Sequence, residues 1–224
     1  MFKQAMLVSV IGCVGLGSAQ VARAQGYADN RPASVSWHIA GGYSAPTGPI
    51  SDYLQGGYVV SGGFNVAPAG NPVSLRGDFS FSSHNATNNF LNYGAQTTGV
   101  QVDSGTGQFS SFSLGPQLTI PLAGRSSLYG FAQIGVYRSS LQLTQTALFS
   151  GDYCDAYFGF CDLGVFAGDS IVYDDTRTRF GWNVGLGYEF PRWFGRAYFL
   201  EASYHRLEGA QRIEYVPITL GIRF

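Results

Sequence analysis

The last ten residues, Tyr215-Val216-Pro217-Ile218-Thr219-Leu220-Gly221-Ile222-Arg223-Phe224, alternate with a period of two and stop on an aromatic. Val216, Ile218, Leu220, Ile222 and Phe224 fall on one face; Pro217, Thr219, Gly221 and Arg223 fall on the other. A strand with one wholly apolar face lies between an apolar and a polar medium. A soluble sandwich could bury such a face against a second sheet. The pattern recurs down the whole chain, however, and that recurrence predicts a transmembrane barrel.

The N-terminus reads as a segment apart from the fold. Lys3 supplies a positive start, Ala5 to Leu16 an apolar stretch, and Ala22-Arg23-Ala24 a small-x-small cleavage site. This is the plan of a secretory signal peptide, residues 1–24, cut before Gln25 and exporting the chain through the inner membrane. Val10-Ile11-Gly12-Cys13 also fits a lipoprotein box, but cleavage there leaves a very short apolar stretch and an apolar rather than polar tether. Beyond the signal no apolar run approaches the roughly 20 residues of a transmembrane helix. Residues 25–224 are about one domain's worth of chain.

Composition supports a lipid-facing surface. Charged residues are only 12% and aromatics 15%, with 31 glycines. A soluble domain carries about 25% charge, whereas the lipid-facing band of a membrane barrel carries none. The net charge of −1 makes nucleic acid an unsuitable partner.

Eight strands can be traced. Val35, Trp37, Ile39, Gly41 and Tyr43 set the outer face of the first, followed by a loop from Pro46 to Leu54. The second runs about Tyr58 to Val66 and turns at Ala67–Pro72. The third, Val73 to about Ser82, puts Leu75, Phe79 and Phe81 out and Ser74, Arg76, Asp78 and Ser80 in. A long polar loop, about His84 to Gly107, precedes a fourth strand with Phe112, Leu114, Leu118, Ile120 and Leu122 on one face. The fifth starts at Leu128, and either Leu128/Ala132/Ile134/Val136 or Tyr129/Phe131/Tyr137 could face outward. A loop of about thirty residues follows it. The sixth alternates Phe180, Trp182, Val184, Leu186, Tyr188 and Phe190 with Gly181, Asn183, Gly185, Gly187 and Glu189. Arg192-Trp193-Phe194-Gly195 leads into the seventh, with Tyr198, Leu200, Ala202 and Tyr204 out and Phe199, Glu201, Ser203 and His205 in. Short turns at one end and mostly longer loops at the other, with aromatics such as Trp37, Tyr43, Tyr58 and Trp193 at strand ends, suit an outer-membrane barrel: all-β, eight-stranded, antiparallel and up-and-down. Its short-turn end and both termini would be periplasmic, and its longer loops extracellular.

The closing strand Val216–Phe224 resembles that of small outer-membrane β-barrel proteins of the opacity-protein and OmpA/OmpX-like type. Pro46-Thr47-Gly48 followed by Ser51-Asp52-Tyr53-Leu54 is similar to the first loop of many of them. The resemblance implies that Val216, Ile218, Leu220, Ile222 and Phe224 are read by the barrel-assembly machinery. The loops depart freely from the family, so it implies no ligand.

His38, Arg76, Asp78, Glu189, Glu201, His205 and Arg223 form the strongest polar constellation, all on inner faces. An eight-stranded barrel is just wide enough for side chains to fill, so these groups are expected to pair as a structural plug rather than work as a gate for solutes. Glu201, Ser203 and His205 match a hydrolase triad in residue types. Neighbours on one strand face lie about 7 Å apart, which argues against a nucleophile–base pair and against lipid-acyl chemistry. An active site needs that geometry first, so no enzyme activity is expected; no Gly-rich phosphate loop, zinc pattern or nucleotide fingerprint is present, and no cofactor is expected. Asp152, Asp155, Asp162, Asp169, Asp174 and Asp175 make the third long loop acidic, with no basic residue between Arg138 and Arg177. They read as a solvated surface more readily than as a cation site. Cys154 and Cys161 are the only cysteines outside the signal and share that loop, which predicts a disulfide. The expected partners are outer-membrane lipid and lipopolysaccharide, the assembly machinery and an extracellular ligand; the expected role is structural or adhesive, with a narrow channel for small or apolar solutes as the alternative and a lipid A-modifying enzyme third.

Overall fold

The computed structural model describes residues 34–99, 101–155, 160–191, 195–209 and 212–224, with the backbone alone for 98, 147–155 and 160–169. The signal segment, Trp193 with its flanking residues 192 and 194, and the residues 156–159 between the cysteines lie outside these.

Eight strands form one closed sheet: β1 Ser34–Thr47, β2 Gly57–Ala67, β3 Val73–Asn85, β4 Ser104–Pro121, β5 Ser127–Asp155, β6 Phe160–Glu189, β7 Ala197–Leu207 and β8 Ile213–Arg223. Each pairs antiparallel with its neighbour in the chain, and β8 closes on β1. Closure leaves the barrel wall no open edge, which a hydrocarbon medium requires because it offers backbone groups no hydrogen bonds. The seam runs past the last strand residue: Phe224 N donates to Trp37 O at 2.8 Å, and Trp37 N to Phe224 O at 3.3 Å.

The period of two sorts the side chains. Trp37, Ile39, Phe79, Phe112, Ile134, Phe180, Leu186, Leu220 and Phe224 are all more than half exposed and ring the outside. Arg76, Gln117, Gln133, Asn183 and His205 are buried inside. This inverts the usual order of a soluble core, and a belt of that size needs an apolar surrounding. Among the described residues no helix is long and apolar enough to cross a membrane.

The fifth strand resolves to the aliphatic set outside. Leu128, Ile134 and Val136 are exposed, whereas Tyr129, Phe131 and Tyr137 are buried in the lumen. The cause lies across the ladder on β6. Tyr129 faces Gly187 and Phe131 faces Gly185. A Cβ at those glycines would come within 2.2 Å and 2.4 Å of the respective rings. Large inward rings are accommodated because the opposite wall has no side chain there.

Two expected loops are corrected. The segment His84–Gly107 is not one polar loop: β3 continues to Asn85, β4 starts at Ser104, and an α-helix, α1 Asn88–Thr98, lies between. Thr87 caps it by accepting from Phe90 N, and Gly99 ends it at φ 71. The run of Asn, Thr and Gln masked this helix, which rests on its caps and on contacts such as Phe90 edge-on to Tyr53 at 5.9 Å. The thirty-residue loop is also structured. The β5–β6 ladder continues in register to Asp155↔Phe160, interrupted only where the register skips Val172, a β-bulge. Extending an existing ladder avoids the entropy of closing a new loop, so an Asp-containing sequence without clean alternation can continue it.

At the opposite end, β4 and β5 are joined through Gly124 at φ 77 and Arg125 at φ 65.

Candidate functional site: a filled lumen and a projecting ribbon

The lumen is filled in layers. Nearest the short turns, Arg223 Nη1 donates to Glu189 Oε2 at 2.5 Å, with the guanidinium between the rings of Tyr129 at 5.1 Å and Phe199 at 5.6 Å. Above it stands Arg76, which is 3% exposed. Its Nη1 and Nη2 donate to the two carboxylate oxygens of Glu201 at 2.7 and 3.1 Å, and its Nε to Asp78 Oδ2 at 2.7 Å. The guanidinium also lies 4.1 Å from the centroid of Phe131. His38 Nε2 is 2.7 Å from Asp78 Oδ1, and Gln133 Nε2 donates to Asp78 Oδ2 at 2.7 Å. Tyr129 OH donates to Glu201 at 2.8 Å. Each carboxylate therefore meets Arg76 and a neutral donor, the arrangement that makes a buried charge tolerable.

A second polar chain leads toward the long loops. Ser113 Oγ donates to Gln133 Oε1 at 3.0 Å, and Asn183 Nδ2 donates to Ser113 and to Tyr137. Tyr137 OH lies 3.3 Å from His205 Nδ1. A cavity of about 30 Å³ lies among these groups. That is room for about one water, and no room for a substrate.

The uppermost layer is apolar. Leu54, Phe109, Tyr137, Leu207, Ile213 and Tyr215 form one buried cluster, with Ile50 and Leu141 against it. Tyr215 stacks on Phe109 at 5.5 Å and on His205 at 4.8 Å. Leu54 belongs to the first loop, not to the wall. The loop is tied down by Gln55 N to Asn85 O and Thr87 N to Tyr53 O, both 2.8 Å.

All seven expected lumen residues thus lie inside, in three groups. His38, Arg76, Asp78 and Glu201 meet directly. Glu189 and Arg223 form a separate pair, and His205 joins the aromatic layer. One expectation is corrected: Ser203 Oγ and His205 Nε2 are 3.0 Å apart. The 7 Å spacing holds for the backbone, but the His205 side chain leans along the strand. Glu201 is held by Arg76 and Tyr129 and makes no bond to His205, so no triad forms. Sequence reasoning missed Tyr129, Phe131, Gln117 and Gln133 as partners of Arg76. The inward glycines of β6 were the signal that could have found the two aromatics.

Outside the lumen, β4 leaves the sheet at Ser104↔Thr144, and β7 pairs with β6 only as far as Gly181↔Leu207. β5 and β6 go on as a two-stranded ribbon, with Cys154 directly opposite Cys161 in the register.

No protein-family model matches the chain, and no curated protein sequence matches it. Among solved structures, that of Neisserial surface protein A superposes with a TM-score of 0.53 at 11% identity, over 86% of this chain and 98% of that one. The attachment invasion locus protein Ail of Yersinia pestis gives 0.46 at 14% identity, over 85% and 99%. The N-terminal β-barrel domain of Pseudomonas aeruginosa OprF gives 0.39 at 12% identity, over 86% and 100%. At these identities the likeness concerns the fold.

Proposed function

We propose that this chain, which has the fold of the small eight-stranded outer-membrane β-barrels, works in the cell outer membrane as a surface-interaction protein whose contacts are made by its extracellular loops. The observation that carries the reading is the ribbon. Its eleven register pairs from Gln145↔Ser170 to Asp155↔Phe160 lie beyond the last β4 pair, a projection of roughly 35 Å at the rise of a strand. The barrel anchors it, and a Cys154–Cys161 disulfide locks its tip. Phe224 and the outward face of β8 serve recognition by the assembly machinery. Arg138, exposed two residues beyond the belt residue Val136, contacts a lipopolysaccharide phosphate.

Support for contact rather than transport comes from the lumen, which is filled by an ionic layer and an apolar layer in series. A solute would have to break both.

Replacing 145–170 with a short turn tests the reading. Cells displaying the shortened barrel should insert it normally, as heat-modifiable protein, yet lose binding to host-cell monolayers and matrix. Cells with a shortened fourth loop, between Leu207 and Ile213, should keep it. Undiminished binding without the ribbon would refute the reading. A steady conductance of the native protein in planar bilayers would favour the channel.

A further inference from the structure

The short-turn end, periplasmic on the orientation above, has a charge pattern of its own. Among the described residues its exposed charged side chains are Arg125 and Arg196, and no acidic side chain is exposed there. Neither arginine has an ion-pair partner among the described residues. The other charged side chains at this end, Glu189 and Arg223, hold each other inside the lumen. The turn Ala67–Pro72 is uncharged.

Both arginines stand where the belt stops. Arg125 lies between Leu122 and Leu128, which are 45% and 42% exposed on the outer surface. The Arg196 guanidinium is 5.6 Å from the ring of Phe224, the end of the apolar face of β8. A long aliphatic stem along apolar surface with its charge at the end suits the level at which hydrocarbon gives way to headgroups. Arg125 is also the one non-glycine residue with a positive φ among the described residues. Glycine would occupy that conformation freely and any side chain is disfavoured there. A turn that keeps an arginine where glycine fits better carries strain at an exposed charge.

We propose that Arg125 and Arg196 form a binding surface for the phosphates of anionic phospholipid headgroups in the periplasmic leaflet. A guanidinium fork matches phosphate oxygens in pairs. The two residues lie on neighbouring turns, between β4 and β5 and between β6 and β7, so the surface occupies one arc of the rim. The lumenal Glu189–Arg223 pair is neutral overall and adds no net charge against it. The proposal is independent of the ribbon and of any extracellular ligand.

Native mass spectrometry of the full mature chain, taken from vesicles of equal phosphatidylglycerol and phosphatidylcholine with matched acyl chains, provides the test. The retained lipid should be enriched in phosphatidylglycerol by about fivefold for each arginine. Enrichment should fall stepwise in Arg125→Gly and Arg196→Gln, vanish in the double variant, and largely survive in Arg196→Lys. Arg125→Gly keeps the test clear of misfolding, since glycine relieves the turn: its urea midpoint in pure phosphatidylcholine should equal or exceed the wild type's. A wild-type ratio near one, or a double variant that keeps the wild-type ratio, overturns the proposal. So does arginine-dependent sedimentation with peptidoglycan in the absence of a lipid preference.

Discussion

The ring of Tyr129 fills the space that a side chain at Gly187 would need: a Cβ there would lie 2.2 Å from the ring. The same ring donates its hydroxyl to Glu201 and stands beside Arg223, so one glycine on β6 positions a hydrogen bond of the ionic layer. Gly187→Ala should therefore displace Tyr129 and lower stability by about 1–3 kcal/mol, the usual cost of overpacking. Combining it with Tyr129→Leu should recover part of the loss. Urea midpoints of the single and double variants check this; equal midpoints for Gly187→Ala and the wild type would rule it out.

Arg76 pairs with two carboxylates at once. Arg76→Ala leaves Glu201 and Asp78 buried without their cation, and should cost about 3–5 kcal/mol. Leu200→Ala, on the outer surface, should cost less because lipid refills the space. The double variant Arg76→Ala/Glu201→Ala should cost less than the sum of its parts, since the second change removes a charge the first has stranded. Denaturant titration of the three variants gives the coupling. Strict additivity would show that the two residues act independently.

Phe224 contributes backbone to the β8–β1 seam through Trp37 and side chain to the outer face. Deleting it, or making Phe224→Asp, should block insertion, because the apolar face then ends in a charge at the interface. Heat-modifiable protein at wild-type level in the outer membrane would contradict this.

Cys154 and Cys161 oppose each other across the ribbon. A bond between them should add about 2 kcal/mol to the ribbon, given the short loop it closes, and nothing the barrel requires. Cys154→Ser should leave barrel insertion intact while speeding proteolysis of the ribbon. Two alkylatable thiols in protein from intact outer membranes would end this prediction.

The residues differ in how openly they announce these roles. Alternation exposed the wall because lipid faces one side of every strand, and parity alone put Arg76, Asp78 and Glu201 inside. Parity failed at β5, whose two faces are both apolar; the discriminating fact lay on another strand, in Gly185 and Gly187, and became visible only through the register. It failed again above the wall, where the ribbon sequence carries no sustained alternation to read. α1 stayed hidden because its stability rests on Thr87, Gly99 and tertiary contacts rather than on an apolar stripe. The Ser203–His205 contact depended on a side-chain lean that residue spacing does not encode.

Leu54 sets unequal rules for anyone grafting sequence onto this scaffold. The first loop is a surface segment, yet one of its residues lies 2% exposed among Phe109, Tyr137 and Tyr215 at the mouth of the lumen. An insert replacing that loop would remove the stopper along with the surface, and would have to bring its own hydrophobic residue to the same depth. The ribbon, by contrast, pairs strand to strand beyond the last β4–β5 pair. It is the site where foreign sequence should be displayed with the barrel left as it is.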